Sequence, residues 1–394
     1  MLYIQACMKV LIISHAYTAS YNRRDKLSRL SKHKQVDELA VVIPRNWRDR
    51  MQEISRKYEK VPADDSYRVY QLDPYFNSVQ NRYLYCSLKL SQVVKEFKPD
   101  IIHVEQELHD WLLWEVVLLN RLFWHRKLVV FVWENIARRF NPIKRLVIKF
   151  VAAQVSHFIC GNQAATGVVK RYSRDRQFTV LPQFGVDTQR FSPLDVTDLK
   201  RDLKLENKFI IGFVGRYVKE KGIHTLMAAI EELAREKSIP EFNLVLISSM
   251  QPPEWLKQQA QGLGGKVHFA SSVPHEDFPR YMNLLDVLVL PSETQNDWKE
   301  QFGRVMVEAM ACGVPVVGSS SGAIPEVVGK YGLIFQEQDF NDLAQKLNEL
   351  MTDSDKLKQL KKEVRPYVVE NLTHEMIAQK TVEVWQKIYE NSLS

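Results

Sequence analysis

The sequence predicts an α/β protein built as two doubly wound parallel-sheet domains, one after the other along 394 residues. Three observations point there. Short β-branched apolar runs alternate with stretches long enough for helices from one end of the chain to the other. Each run is near-continuous rather than alternating, the pattern of strands buried on both faces. Charge also changes sign along the chain: residues 1–190 hold 31 Lys+Arg and 18 Asp+Glu, a net of +13, and the remainder holds 54−31 = 23 and 47−18 = 29, a net of −6. Two halves of opposite sign suggest two domains with different partners.

In the first half the strand candidates are KVLIIS (9–14), ELAVVI (38–43), DIIHVE (100–105), LVVFVW (128–133), HFIC (157–160) and FTVL (178–181). In the second they are FIIGFVG (209–215), NLVLIS (243–248), KVHFA (266–270), DVLVLP (286–291), VPVVGS (314–319) and GLIF (332–335). The join falls near QFGVDTQRFSP (183–193), rich in Gly, Pro and polar residues. The expected division is therefore 1–185, 186–372 and a terminal helix over 373–394. In sheets of this kind ligands bind where the strands end at their carboxyl side. Those positions hold His15, His103, Glu105, Trp133, Glu134, Arg216, Lys221 and Ser292 to Gly303.

Composition bounds the function. Hydrophobic residues at 45% and charged residues at 26% are ordinary for a globular protein. The four cysteines (Cys7, Cys86, Cys160, Cys312) are far apart with no C-x-x-C pair, which argues against a disulfide framework or thiolate metal site and suits a reducing cytosol. MLYIQAC lacks the basic start and apolar core of a signal peptide, and Met8 is a second candidate start. The most apolar stretch, Trp111 to Asn120, is about half a membrane span and contains Glu115. A cytoplasmic protein is expected. Its basic half is suited to anions: lipid headgroups, a phosphorylated substrate or nucleic acid. No recognised nucleic-acid motif accompanies the charge, so a non-catalytic nucleic-acid binder has charge alone in its favour.

Two stretches carry the chemistry. In GFVGRYVKEKG (212–222) a buried strand ends, Gly215 allows a tight turn, and Arg216 and Lys221 follow before a helix begins near Lys221. Two cations fixed there suit a diphosphate; solvated loop residues are the plainer reading. In WKEQFGRVMVEAMACGVPVVGSSSG (298–322) a polar loop leads into a helix read over FGRVMVEAMAC. Glu300 lies just before it and Glu308 about two turns inside. The N–H groups of Phe302, Gly303 and Arg304 make an anion-binding helix end. A lone Glu on a helix is usually a surface charge, but Glu308 sits among Val305, Met306, Val307 and Ala309 to Ala311, where a carboxylate needs a partner.

Three further features are weaker. Gly318 to Gly322 fits G-x-S-x-G, and Asp339 or Asp355 and then His374 follow in hydrolase order, so Ser320 offers a serine-hydrolase alternative. Pro325 stands where the supporting helix of a nucleophile elbow belongs, and a Ser/Gly loop closing over a nucleotide is the better account. Asp353-Ser354-Asp355 is the one D-x-D, and a helix cap explains it better than a metal site. In RRFNPIKRLVIKFVAAQ (138–154), Ile143, Leu146, Val147, Phe150 and Val151 form one stripe with Lys144, Arg145 and Lys149 around it. The stripe reads as a domain-packing helix or as a surface leaning on anionic lipid.

Through LPQFGVDTQRFSP, GFVGRYVKEKG, PSE and EQFGRVMVEAMACGVPVVGSSSGAIPEVVG, the second half resembles family 4 of the glycosyltransferases, retaining enzymes of GT-B fold with two Rossmann-like domains facing across a cleft. The match covers about half the chain; the first half is similar only in pattern. The resemblance implies a nucleotide diphosphate sugar as donor and a sugar or lipid-linked acceptor. It implies Arg216 and Lys221 on the diphosphate, Glu300 on the donor sugar's hydroxyls, Phe302 and Gly303 as amide donors, and Glu308 on the ribose. It also implies no metal and a last helix that crosses back to the first domain. The chain departs from the family at Gln301, where glycine is frequent, in SHAYTASYNRR, which has no glycine, and at Trp133-Glu134, where a histidine often ends the strand. His15, His103, Glu105 and Glu134 are therefore the acceptor-side candidates. A basic first half leaves peripheral contact with the inner membrane face open.

Overall fold

The computed structural model describes residues 7–18, 21–49, 54–57, 66–76, 83–271 and 273–391. The start-codon reading, which rests on residues 1–6, and part of SHAYTASYNRR lie outside them. The chain divides into two compact units: Met1–Gly185 with His374–Ser394, and Val186–Thr373. Each is described by itself.

In the first unit the strands are β1 (Met8–Ile13), β2 (Val36–Pro44), β3 (Asn46–Asp49), β4 (Ile54–Lys57), β5 (Arg68–Leu72), β6 (Ile101–Glu105), β7 (Lys127–Val132), β8 (His157–Cys160) and β9 (Gln177–Val180). Seven of them form one parallel sheet in the order β5-β2-β1-β6-β7-β8-β9, and β3 and β4 pair as an antiparallel ribbon. The six apolar runs read from the sequence are strands. The additions are β3, β4 and the edge strand β5, whose RVYQL is only half-buried and has no continuous apolar run.

Sequence alternation decides which layer each side chain meets. Val10, Ile12, Ile101, Val129 and Phe131 face a cluster completed by Leu27 and by Ile377, Val382 and Trp385 of the terminal helix His374–Glu390. Leu11, Ile13, Ile102, Val104, Leu128 and Val130 face the opposite cluster, covered by helices Ser87–Phe97, Trp111–Leu119 and Pro142–Ala153. Fully burying Ile377 and Trp385 is worth roughly 1.5–3 kcal/mol for each side chain, enough to hold the terminal helix on this unit.

The second unit repeats the plan with β10 (Phe209–Val214), β11 (Phe242–Ser248), β12 (Val267–Ser271), β13 (Val287–Leu290), β14 (Val316–Ser319) and β15 (Gly332–Phe335). All six were legible as apolar runs. They form a parallel sheet in the order β12-β11-β10-β13-β14-β15. Helices Ile223–Arg235 and Phe340–Thr352 share a cluster with Ile211, Phe213, Leu244 and Val289. Asp353 caps helix Ser354–Asn371 by accepting from the Lys356 amide, the role expected for the D-x-D.

In both sheets the chain winds outward in two directions from a central pair. The switch point lies between β1 and β6 in the first unit and between β10 and β13 in the second. The loops that leave those strands are where each unit presents a crevice to a ligand.

Candidate functional site

At the second unit's switch point the loop after β10 meets the loop after β13. Gly222 makes the approach feasible: its φ is +66°, and a Cβ there would lie 1.7 Å from the Pro291 carbonyl oxygen. The loop after β14 closes on the same place. Gly322, at φ +57°, would put a Cβ 2.0 Å from the Glu300 carbonyl oxygen, which also accepts from the Ala323 amide at 3.0 Å. Three loops distant in sequence are thus tied backbone to backbone.

Their side chains form an ion network. Lys221 Nζ donates to Glu300 Oε2 at 2.7 Å and stands 4.7 Å above the Trp298 ring. Ser292 Oγ donates to the same oxygen at 3.0 Å, and Ser319 Oγ donates to the Ser292 carbonyl. Arg216 donates to Glu220 Oε1 at 3.2 Å, and Gly215 donates its amide to Ile247. The Glu220 carbonyl accepts from the Glu293 amide, while Thr225 Oγ1 donates to Glu293 Oε1 at 2.6 Å. Lys221 thus meets Glu300, Arg216 lies on the loop that carries Glu220, and each cation is held by a carboxylate.

Two local details differ from expectation. Lys221 ends a 3-10 turn, Lys219–Lys221, and the helix starts at Ile223. The other helix is Arg304–Ala311, capped by Gly303 at φ +71°. Glu308 is therefore in its second turn rather than two turns in. Phe302 is buried just ahead of that helix end. Glu308 is buried, and Arg304 Nε donates to its Oε1 at 3.1 Å. Burial raises the Glu308 carboxyl above its ordinary range, against the pull of Arg304 and Arg190. Arg190 is itself held on His275, which reading along the sequence did not find because the two lie far apart in the chain. Trp298 and Glu220 were also passed over. The i,i+4 spacing of Arg216 and Glu220, and of Arg304 and Glu308, was the available signal.

Ser320 Oγ accepts from the Glu337 amide at 3.0 Å, and Asp339 accepts from the Asn341 and Asp342 amides as a helix cap. His374 belongs to the first unit, at the start of the terminal helix. Ser320 and Asp339 of the serine-hydrolase alternative thus have structural partners.

In the first unit the candidates separate. His15 follows β1 at the switch point, stacks on Trp47 with centroids 4.4 Å apart, and meets Gln106 Nε2 at 3.0 Å. His103 and Glu105 lie elsewhere than a crevice: on β6 both point into the layer beneath the terminal helix. His103 Nδ1 accepts from Trp385 Nε1 at 3.1 Å, and burial lowers the imidazole to about 3, so it is neutral. Glu105 accepts from Tyr17 at 2.9 Å and Gln183 at 2.8 Å and pairs with Lys26 at 3.4 Å, all buried. Burial works to raise its carboxyl, yet Lys26, His103 and the hydrogen bonds hold it below the ordinary range.

Glu134 pairs with Arg138 at 2.7 Å and lines a small pocket with Glu107, His109, Phe140 and Tyr172. Glu107, not singled out from the sequence, accepts from the Trp133 and Glu134 amides, and burial beside Asp110 raises its carboxyl to about 8. It is a neutral acid at pH 7. Among the described residues no group of three His, Cys, Asp or Glu side chains is placed to hold a metal ion, and no helix is long and apolar enough to cross a membrane.

Residues 195–366 match the family Glycosyl transferases group 1. The chain is 29% identical to spore coat protein SA of Bacillus subtilis over 238 residues, covering 56% of this chain and 62% of that protein. It is 32% identical to a GDP-mannose-dependent alpha-(1-6)-phosphatidylinositol monomannoside mannosyltransferase of Mycolicibacterium smegmatis over 211 residues, covering 49% of this chain and 54% of that protein. It thus spans somewhat more than half the length of these relatives. Among solved structures, Anabaena HepE in complex with UDP superposes with a TM-score of 0.73 at 20% identity, covering 96% of this chain and 100% of that one. Sucrose-phosphate synthase from Thermosynechococcus elongatus does so with a TM-score of 0.69 at 22% identity, covering 98% and 100%.

Proposed function

Starting from a chain whose residues 195–366 belong to the glycosyl transferases group 1 family and whose fold is GT-B, we propose that it moves a sugar from a nucleotide diphosphate sugar to an acceptor hydroxyl with retention at the anomeric carbon. The products would be a polysaccharide, a glycolipid or another cell-envelope glycan. One observation supports this above the rest: Arg216, Lys221, Glu300 and the helix end at Gly303 lie on the two loops that meet at the switch point of the acidic half, with Lys221 on Glu300.

In this reading Arg216 and Lys221 exchange their carboxylate partners for the donor's diphosphate. Glu300, released by Lys221, accepts from the sugar's hydroxyls, and Ser292 keeps its carboxylate oriented. The amides of Phe302 and Gly303 complete the anion site, the turn at Gly215 lets the phosphates approach, and Glu308 accepts from the ribose. As the glycosidic bond breaks, negative charge grows on the departing diphosphate. Fixed cations and amides stabilise that charge more in the transition state than in the ground state. Counter-charge then comes from side chains and no metal ion is needed. No covalent nucleophile is assigned, and the leaving phosphate can take the acceptor's proton. On the acceptor side the proposal keeps His15 with Gln106, and Glu134 with its pocket, and drops His103 and Glu105. A cytoplasmic location, with a lipid-linked acceptor presented at the membrane's inner face, completes it.

Thermal-shift screening of nucleotide sugars identifies the donor, because a ligand at 100 times its Kd adds about 2.7 kcal/mol of stability. With that donor, Arg216→Ala should lower turnover about 10²–10³-fold, the usual loss on removing one stabiliser of developing charge. Its melting temperature should match wild type. Turnover within a factor of two of wild type would refute the assignment.

A further inference from the structure

Helix Pro142–Ala153 has two apolar faces, and only one is used by its own unit. Ile148, Val151 and Ala152 are buried against the sheet. Ile143 is 78% exposed, Leu146 70% and Phe150 47%, at i, i+3 and i+7 along one outward stripe. The stripe expected from the sequence is thus divided, and its larger members face solvent. The neighbouring helix Trp111–Leu119 and the π-helical turn Asn120–Trp124 that continues it expose Leu118, Leu122 and Phe123. Both helices cover the same cluster, and Lys144 Nζ sits over the Trp114 ring. Scattered apolar residues on a surface need no explanation, but a cluster of six large ones in adjacent elements does.

Charge identifies the occupant. Residues 116–153 contain eight Lys+Arg (Arg121, Arg126, Lys127, Arg138, Arg139, Lys144, Arg145, Lys149) and one acidic residue, Glu134, already paired with Arg138. Protein interfaces are depleted in Lys, and nucleic-acid interfaces are polar. Large apolar side chains in a segment with so large an excess of cations suit a phospholipid surface: the apolar groups enter the headgroup boundary and the cations meet lipid phosphates. We propose that this helix layer is a docking surface for an anionic phospholipid membrane, on which the chain lies without spanning. Nothing in this depends on the sugar-transfer reading.

Co-sedimentation of the full chain with phosphatidylcholine vesicles, with and without phosphatidylglycerol, tests it. Wild type should bind the anionic vesicles, weakly the neutral ones, and release as salt rises. Ile143→Ser/Leu146→Ser/Phe150→Ser should lower partitioning at least about tenfold, because little apolar area would remain to insert. Arg145→Glu/Lys149→Glu should lower it by about tenfold or more. Leu194→Ser, an exposed leucine of the second unit, should change nothing. The substituted side chains are exposed, so folding and nucleotide binding should persist in each variant. Three results would overturn the proposal: no binding to anionic vesicles, a triple variant that binds like wild type, or light scattering showing a dimer that the triple variant disperses.

Discussion

Lys26–Glu105 in the first unit and Lys221–Glu300 in the second are lysine–glutamate pairs beside the ends of central parallel strands, and they behave as opposites. The first has side chains only 2% and 1% exposed, and Tyr17 and Gln183 take up further lone pairs of the carboxylate. The second is shorter, 2.7 Å against 3.4 Å, yet its side chains are 20% and 10% exposed and its lysine stands over Trp298. A charge pair sealed in the core cannot exchange partners, because each ion left alone would lack both water and counter-charge. A pair at an open switch point can pass its cation to an arriving anion. Surroundings, more than residue type, separate a structural ion pair from a site.

Breaking the sealed pair should have the largest effect. Lys26→Ala leaves Glu105 charged and buried, which should cost about 3–5 kcal/mol in urea unfolding, while Lys26→Met/Glu105→Leu should recover most of it. An equal loss in both variants would mean that packing, not uncompensated charge, sets the cost. The open site should respond differently. Glu308→Gln keeps the shape and removes the charge that Arg304 balances, so nucleotide binding should weaken about tenfold, or about 1.4 kcal/mol, with unfolding nearly unchanged.

A third contrast is in pH. Glu107, at about 8 against an ordinary 4.5, holds its proton when folded across the range in which the unfolded chain has released it. The native state binds more protons there, so stability falls as pH rises from about 4.5 to about 8. His103 acts in the other direction: at about 3 against 6.5, it lets the unfolded chain take the proton first, and stability falls as pH drops through that window. Glu107→Gln should flatten the fall in stability between about pH 4.5 and about 8 in melting curves, leaving the loss that His103 causes toward about pH 3.

Much of the fold was legible because strands buried on both faces leave continuous apolar runs, as in KVLIIS or DVLVLP. The edge strand RVYQL was not, since its half-exposed side chains break the run. Of the proposed site, Arg216, Lys221 and Glu300 were singled out because strand-end loops in a doubly wound sheet point at ligands. His103 and Glu105 satisfied the same rule but are buried. Alternation along β6 turns them toward one face, and only the fold reveals that the terminal helix covers it. The Arg190–His275 contact joins distant segments and leaves no periodic trace.

The account's central claim is that Arg216 and Lys221 grip a pyrophosphate on the second unit. Calorimetric titration of wild type and of Arg216→Ala/Lys221→Ala with a nucleoside diphosphate, beside the bare nucleoside, tests it most directly. The claim predicts that the double variant loses at least about 100-fold in diphosphate affinity, or about 2.7 kcal/mol, and binds the nucleoside as wild type does. Equal diphosphate affinity in the two proteins would contradict it.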